Sequence, residues 1–451
     1  MEVETVDEQG RTWRAFLIHA LTGGAFVTAF ILPVFFSIPY VKVLKTVVLV
    51  LVLCQIGRML LSSILAFARP RTPPDLPADA DLPSVSVIVP AYNEASVLPE
   101  TIEACREIDY PDELLEVILC YEADSHDATG EICRRAADDD RFVAVERDEE
   151  GGGKATATNF ALERASGEII ASIDADHWLK EDAVKRAVKW FNVKPDVWCV
   201  KGRCYGRNPT DSIIALHATV ERHVTEKADL YAREVLKSFT LFGGGQAFFR
   251  RKVFDEVGAF DEEVLVEDID MSTRIHAYGK ELRVDPGIIT FEEQPATLSA
   301  LWSQRKRWAR GWMQVAARYL DQIPGSRDLS VRKRADAAYT FAYAIILPFL
   351  IIGAPLPVLD LLYLPTAATA YIPHSQVLWT ILGVFPPLMA AFVFIQDYRD
   401  GLDHHWTEYL AACTLGIYLF LQTFVYVVAF LEEFVYRKPS VYVTTSRADD
   451  E

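Results

Sequence analysis

Ile169-Ile170-Ala171-Ser172-Ile173-Asp174-Ala175-Asp176-His177 is an apolar run closed by two carboxylates two residues apart. The branched residues before Asp174 read as a buried strand, since they suit a pleated surface packed on both sides. Working outward, Val85 to Val89, Glu116 to Cys120, Phe142 to Val145 and Val197 to Val200 read the same way. Between these runs, amphipathic periodicity predicts helices over roughly 95–107, 127–138, 155–165 and 181–193. Strands alternating with helices predict an α/β fold, a mostly parallel sheet covered on both faces. In such sheets ligands sit beyond the carboxyl ends of the strands, so the residues after each strand are where chemistry is sought.

The strand ends are rich in polar residues. Val89-Pro90-Ala91-Tyr92-Asn93-Glu94 stops a strand at Pro90 and offers Asn93 or Glu94 as a helix cap. Tyr121-Glu122-Ala123-Asp124-Ser125-His126-Asp127 puts three acids after the second strand, with Asp127 suited to cap the following helix. Asp174 and Asp176 are hard oxygen ligands of the kind that hold Mg2+ or Mn2+, and a metal so placed neutralises a diphosphate. Gly151-Gly152-Gly153-Lys154 unites free backbone N–H groups, a cation and a helix start, without the spacing of a P-loop. Gly243-Gly244-Gly245 precedes the apolar run Ala247-Phe248-Phe249, either as a bulged start to a strand or as a place of close ligand approach. Glu267, Asp268 and Asp270 fall in the first turn of a helix, where acids favour the helix dipole. Finally Gln304, Arg307 and Trp308 fall at i, i+3 and i+4 of a basic helix, so one face shows an amide, a guanidinium and an indole. That helix also suits an anionic lipid surface.

Hydrophobicity is uneven along the 451 residues. Residues 15–36 and 43–68 are apolar runs about the 20 residues long that a bilayer-crossing helix needs, and they read as a hairpin rather than a cleaved signal. Apolar runs return at 338–364, 377–396 and 409–431. The stretch between is flanked by Arg69 and Arg71 on one side and Arg332, Lys333 and Arg334 on the other, which predicts a cytoplasmic location in a multi-pass cell-membrane protein. Three C-terminal spans would carry Arg437, Lys438 and Arg447 to the outside, against the same rule, unless the Pro-broken stretch 338–373 crosses twice as two short helices. A hydrophobic content of 51% with 24% charged residues excludes a disordered or fibrous chain. The net charge of −18 argues against nucleic acid as a partner. The seven cysteines lack any C-x-x-C spacing, so neither a zinc site nor a redox pair is expected.

Taken in order, Asp174-Ala175-Asp176-His177, Glu267-Asp268 and Gln304-x-x-Arg307-Trp308 resemble the D-x-D, E-D and Q-x-x-R-W series of membrane family 2 glycosyltransferases, the cellulose, hyaluronan and poly-N-acetylglucosamine synthase group. Val89 to Glu94 and Gly153-Lys154-Ala155-x-Ala157-x-Asn159 are similar to that family's opening strand and G-K-A-x-A-x-N element. The resemblance spans about residues 84–315. It implies a GT-A catalytic domain at 81–296 between an N-terminal hairpin and linker at 1–80 and interfacial helices at 297–336, followed by C-terminal membrane helices and a tail at 337–451.

It also implies roles. Asp174 and Asp176 would hold the metal and the donor diphosphate, and Asp268, beside Glu267, would be the general base of an inverting transfer. Pro90, Tyr92, Glu94, Lys154 and Asn159 would surround the nucleotide, with either Glu122 or Asp124 contacting it where many relatives carry D-D-G-S. Gln304, Arg307 and Trp308 would close the acceptor and diphosphate end. A UDP-sugar is the expected donor and a growing polysaccharide, exported through the chain's own helices, the expected acceptor. One alternative is transfer of a single sugar to a polyprenyl phosphate or other glycolipid, although such enzymes usually lack Q-x-x-R-W. A non-enzymatic receptor or channel would be expected to have lost the acids, and a dinucleotide enzyme would carry G-x-G-x-x-G after the first strand, which is absent.

Overall fold

The computed structural model describes residues 37–68, 73, 75, 76, 81–149, 152–353 and 371–440. The apolar run 15–36, most of the linker Arg69 to Pro74, Gly151, the later part of the run 338–364 and Arg447 lie outside them.

After a long helix α1 (Ile38–Ala68), strand and helix alternate as expected: β1 (Val85–Ala91), α2 (Leu98–Arg106), β2 (Leu115–Glu122), α3 (Thr129–Ala136), β3 (Phe142–Arg147), α4 (Lys154–Leu162) and β4 (Ile169–Ile173). Every residue of β1 and β4 is buried, which is why both read as continuous apolar runs rather than alternating ones. The chain continues through β5 (Trp178–Leu179), α5 (Ala183–Val193), β6 (Val197–Gly206), α6 (Ile213–Thr225), a wide helical turn at Glu226–Tyr231, and α7 (Ala232–Leu236). It completes the sheet with β7 (Gln246–Arg250), α8 (Lys252–Glu256), α9 (Glu267–Ala277) and β8 (Glu281–Glu292).

One eight-stranded sheet results, in the order β3-β2-β1-β4-β7-β6-β8-β5. The half made of β3, β2, β1 and β4 is parallel throughout, as alternation dictates. β7 enters antiparallel to both β4 and β6, which makes the sheet mixed. Its direction matters, because Gln246 pairs with Ile173 and the glycines before it therefore lie beside the carboxyl end of β4. β6 and β8 run parallel and end together, Gly206 opposite Glu292. The last residues of β1, β2 and β4 thus share one edge of the sheet with the start of β7.

Among the described residues four helices follow: α10 (Leu298–Tyr319), α11 (Val331–Gly353), α12 (Ser375–Arg399) and α13 (Trp406–Phe430). α10 carries the Gln304 to Trp308 face and packs on α9, where Gly311 permits the approach. A Cβ on Gly311 would stand 2.6 Å from Val266 Cγ1, so only glycine fits there. α11 runs through Pro348 as one helix to the end of its described part. Two helices, Pro39–Leu65 and Trp406–Val435, are long and apolar enough to cross a membrane. Both leave large apolar side chains exposed, Val43, Val47, Val50, Leu61 and Ile64 on one and Leu410, Ile417, Leu421 and Phe424 on the other.

α13 is nevertheless tied to α6 near its start and to α10 just past its end. Near its start Glu408 lies 3.2 Å from His223 of α6. Just past its end Glu433 pairs with Arg310 at 3.0 Å, and the Lys438 carbonyl accepts a hydrogen bond from Arg310 at 2.6 Å. The tail through Lys438 therefore packs against α10.

Candidate active site

A cavity of about 750 Å³ opens at the shared strand edge, and its walls gather residues from distant parts of the sequence. Pro90, Tyr92, Glu94, Glu122, Asp124, Lys154, Asp174, Asp176, Glu267, Asp268, Gln304, Arg307 and Trp308 all line it. Of the residues singled out by sequence, Asn159 alone stands elsewhere. Its side chain donates to the Phe260 carbonyl at 2.9 Å and accepts from the Phe260 N–H at 3.0 Å, so it anchors the loop leading to Glu267.

The loops after β1 and β2 are bound to one another. Asn93 adopts a left-handed backbone (φ 55°), and its Oδ1 accepts from the His126 N–H at 2.8 Å. The Glu94 N–H donates to Thr129 Oγ1 at 2.8 Å. Neither Asn93 nor Glu94 is the side-chain cap expected of them. α2 begins only at Leu98, after Val97, because these side chain and backbone groups are used in joining the two loops. Asp127 does accept from the Thr129 N–H at 3.0 Å at the start of α3, as expected, and also from Ala95.

Glu122 and Asp124 differ in their partners. Glu122 Oε1 receives Arg147 Nε at 3.0 Å, a nearly fully buried guanidinium. Asp124 has no ion pair among the described residues and lines the cavity. Burial holds the Glu122 carboxyl above its ordinary range despite Arg147.

One wall of the cavity carries a ladder of alternating charge. Lys154 Nζ contacts Asp174 and stands 3.4 Å from Glu267 Oε1. His177 Nε2 faces Glu292 at 3.2 Å, Asp176 at 3.7 Å and Asp174 at 3.8 Å. Burial disfavours charge on His177, but Glu292, Asp176 and Asp174 outweigh it and hold the imidazole above its ordinary pKa. Burial likewise works against the Asp174 carboxylate, and Lys154 and His177 overcome it, leaving its pKa lowered. Glu292 is lowered too, since Arg222 (Nε at 2.6 Å) and His177 outweigh its burial. Gly245, at φ +83°, lies so near His177 that a Cβ there would meet the ring at 2.2 Å. The glycine run thus serves the close approach of β7 to this histidine.

Asp268 behaves in the opposite sense. Burial, and then repulsion from Glu267, push its pKa up to about 7, against the pull of Lys154, the Ile269 N–H and Arg307. A carboxyl poised near neutral pH in a cleft is suited to proton abstraction. The ligand atoms of Asp174, Asp176 and His177 lie within 4.8 Å of one another, and two hard carboxylates fit Mg2+ or Mn2+. On the opposite wall Gln304 Oε1 is buried with no hydrogen-bond partner, and Trp308 lies beneath Arg305, 4.3 Å from the ring centroid. The basic residues of α10 are turned toward acids, Lys306 to Glu432 at 3.3 Å and Arg310 to Glu433.

His177, Glu292, Arg222, Arg147 and Glu221 were not assigned to the site from sequence. Glu292-Glu293 ends β8, so the strand-end rule that found Asp174 would have found it had the strand been recognised. Arg222 and Glu221 lie mid-helix and carry no local signal.

Residues 86–258 match the family model described as glycosyl transferase family 2. A probable glycosyltransferase of Bacillus subtilis (strain 168) is 26% identical over 334 residues, 73% of this chain and 76% of its own length. A poly-beta-1,6-N-acetyl-D-glucosamine synthase of Staphylococcus epidermidis is 26% identical over 314 residues, 68% of this chain and 74% of that one. Among solved structures, a mannosyltransferase from Pyrobaculum calidifontis in complex with GDP-Man and Mn2+ aligns with a TM-score of 0.55 at 26% identity, covering 80% of this chain and 100% of that one. The α/β domain has the GT-A type of fold, residues 86–258 are a glycosyl transferase family 2 domain, and the chain that carries it is a glycosyltransferase.

Proposed function

We propose that the chain moves a sugar from a nucleotide-sugar donor to a growing carbohydrate at a membrane, with inversion at the anomeric carbon. The observation that carries this reading is the meeting, in one cavity, of a carboxyl raised to about 7, a paired-aspartate site and the Gln304, Arg307, Trp308 face. Asp268 is the general base. It takes the acceptor hydroxyl's proton as that oxygen forms its bond to the anomeric carbon, while the bond from that carbon to the diphosphate breaks with its electron pair. Asp174 and Asp176 would hold the divalent cation, which would supply positive charge to offset that of the departing diphosphate. Lys154 supplies a fixed positive charge beside Asp174, and Arg307 a second from the opposite wall. Asp124 is the nucleotide contact of the pair left open by sequence, since Glu122 is engaged by Arg147. The mannosyltransferase solved with GDP-Man and Mn2+ supports a nucleotide-sugar donor and a divalent metal. The poly-beta-1,6-N-acetyl-D-glucosamine synthase relative supports a polymeric product.

A membrane location is supported by the outward apolar faces of α1 and α13. In this reading α11 leaves the catalytic domain, α12 returns to it, and α13 lies along it, so that Arg437 and Lys438 stay with the catalytic domain as the positive-inside rule requires.

The test is donor consumption by purified protein. Radiolabelled UDP- and GDP-sugars are offered with Mn2+ or Mg2+, and at least one should be consumed in a chelator-sensitive manner. No consumption of any nucleotide sugar would defeat the proposal.

A further inference from the structure

The wall of the cavity made by α6, α10 and α13 is unlike the donor side. Glu221 of α6 lines it, and its Oε2 receives three donors: Arg305 Nη2 at 2.7 Å, Gln422 Nε2 at 2.9 Å and Tyr418 OH at 3.1 Å. None of the three reaches Oε1. Around it Trp308, Trp312, Tyr426 and Gln422 also line the cavity. Three bonds to one oxygen fix the carboxylate rigidly across three helices, a degree of preorganisation that packing alone does not require.

The chemistry of this corner is restrictive. Arg305 is committed to Glu221 on one side and to the Trp308 ring on the other, so its charge is already balanced. A carboxylate oxygen accepts hydrogen bonds and donates none, so it pairs with O–H or N–H groups. The aromatic rings beside it suit the C–H faces of a sugar. A phosphate placed here would meet a like charge in a desolvated site.

We propose that Glu221 recognises the acceptor, receiving a hydroxyl or amide N–H of an uncharged sugar ring on Oε1, and that it disfavours an acceptor whose phosphate lies at this wall. This rests on the glycosyl-transfer reading above and narrows its acceptor to neutral carbohydrate. A charge-assisted bond to one ring makes a difference on the order of tenfold in affinity.

The experiment uses the full chain in lipid nanodiscs with the donor identified from the panel. Neutral tetrasaccharides of β-1,6-linked N-acetylglucosamine and of mannose, and a polyprenyl phosphate in vesicles, serve as acceptor probes. The wild type is expected to elongate a tetrasaccharide, and E221Q to raise the KM for it about tenfold or more, with kcat changed less and nucleotide diphosphate affinity within twofold. Should E221Q lose nucleotide binding, the same KM shift in E221D, which keeps the charge but withdraws the oxygen by one methylene, decides the question. An unchanged acceptor KM, or a wild type that uses the polyprenyl phosphate and ignores the tetrasaccharides, overturns this inference while leaving glycosyl transfer intact. A wild type that consumes no nucleotide sugar defeats both.

Discussion

Lys154 and Glu267 meet across the cavity, Nζ to Oε1 at 3.4 Å, and this contact joins the first residue of α4 to the first residue of α9. Lys154 also touches Asp174, so one ammonium ties the paired-aspartate site to the turn that carries Asp268. In the mechanism proposed above, the proton-accepting group is thereby set against the diphosphate end by a charge rather than by packing alone. Replacing Lys154 by Met should raise the Asp268 pKa further, since an opposing positive charge is lost. The limb of the pH–rate profile governed by the base should then move to higher pH, and an unmoved limb would remove Lys154 from this role.

Asp268→Asn keeps the size of the side chain and abolishes its basicity. Transfer should fall by about 10² to 10⁴ fold, the usual contribution of a general base. Nucleotide affinity, measured by titration calorimetry, should stay within about threefold. In the wild type the base acts only when deprotonated, so kcat/KM should rise with pH through about 7 and level off above it.

The same carboxyl has a stability signature of opposite sense. A folded-state pKa raised above the unfolded one favours the protonated form in the fold, so the native state loses stability as pH rises from about 4 to about 7. Asp268→Asn should therefore melt higher than wild type at neutral pH, on the order of 2–4 °C for each kcal/mol gained. At pH 4 and below the two should coincide. Equal melting temperatures at pH 7.5 would show that Asp268 is not strained.

Glu122 and Asp124 should separate in nucleotide binding. Asp124→Asn is expected to weaken binding of the nucleotide diphosphate by about tenfold, the scale of one charge-assisted hydrogen bond. Glu122→Gln should act chiefly by loosening Arg147 and cost thermal stability more than affinity. The reverse pattern would assign the contact to Glu122.

Gly311→Ala places a methyl against Val266, at 2.6 Å from its Cγ1 if nothing moves. Overpacking of this kind costs about 1–3 kcal/mol. The strain falls on the residue just before Glu267-Asp268, so kcat should drop about tenfold while nucleotide affinity holds. Val266→Ala added to it should restore much of the rate.

The parallel half of the sheet was legible because β1 and β4 are buried on both faces and so carry unbroken apolar runs, each ending in polar residues that mark the ligand edge. The order of Asp174-x-Asp176, Glu267-Asp268 and Gln304-x-x-Arg307-Trp308 pointed to residues that all line one cavity. What stayed hidden depends on long-range pairing. β7 is antiparallel, which no local pattern announces, and only that direction brings Gly245 onto His177. Glu292 and Arg222 become neighbours of the aspartate pair through β8 and α6, far away in sequence. Asn159 was placed near the nucleotide through the G-K-A-x-A-x-N resemblance, and no local pattern announced that its side chain bonds the Phe260 backbone. The packing of α13 on α6 was likewise hidden from hydropathy, since that helix has the length and composition of a span.

The size of the product tests the central claim most directly. Purified protein, its labelled donor and Mn2+ or Mg2+ should yield a ladder of lengthening carbohydrate. Trp308→Ala should retain donor affinity while the ladder collapses to short products, because an indole at the acceptor wall offers a stacking face for the growing chain. A wild-type product that is only ever one sugar on an extractable lipid would contradict chain synthesis.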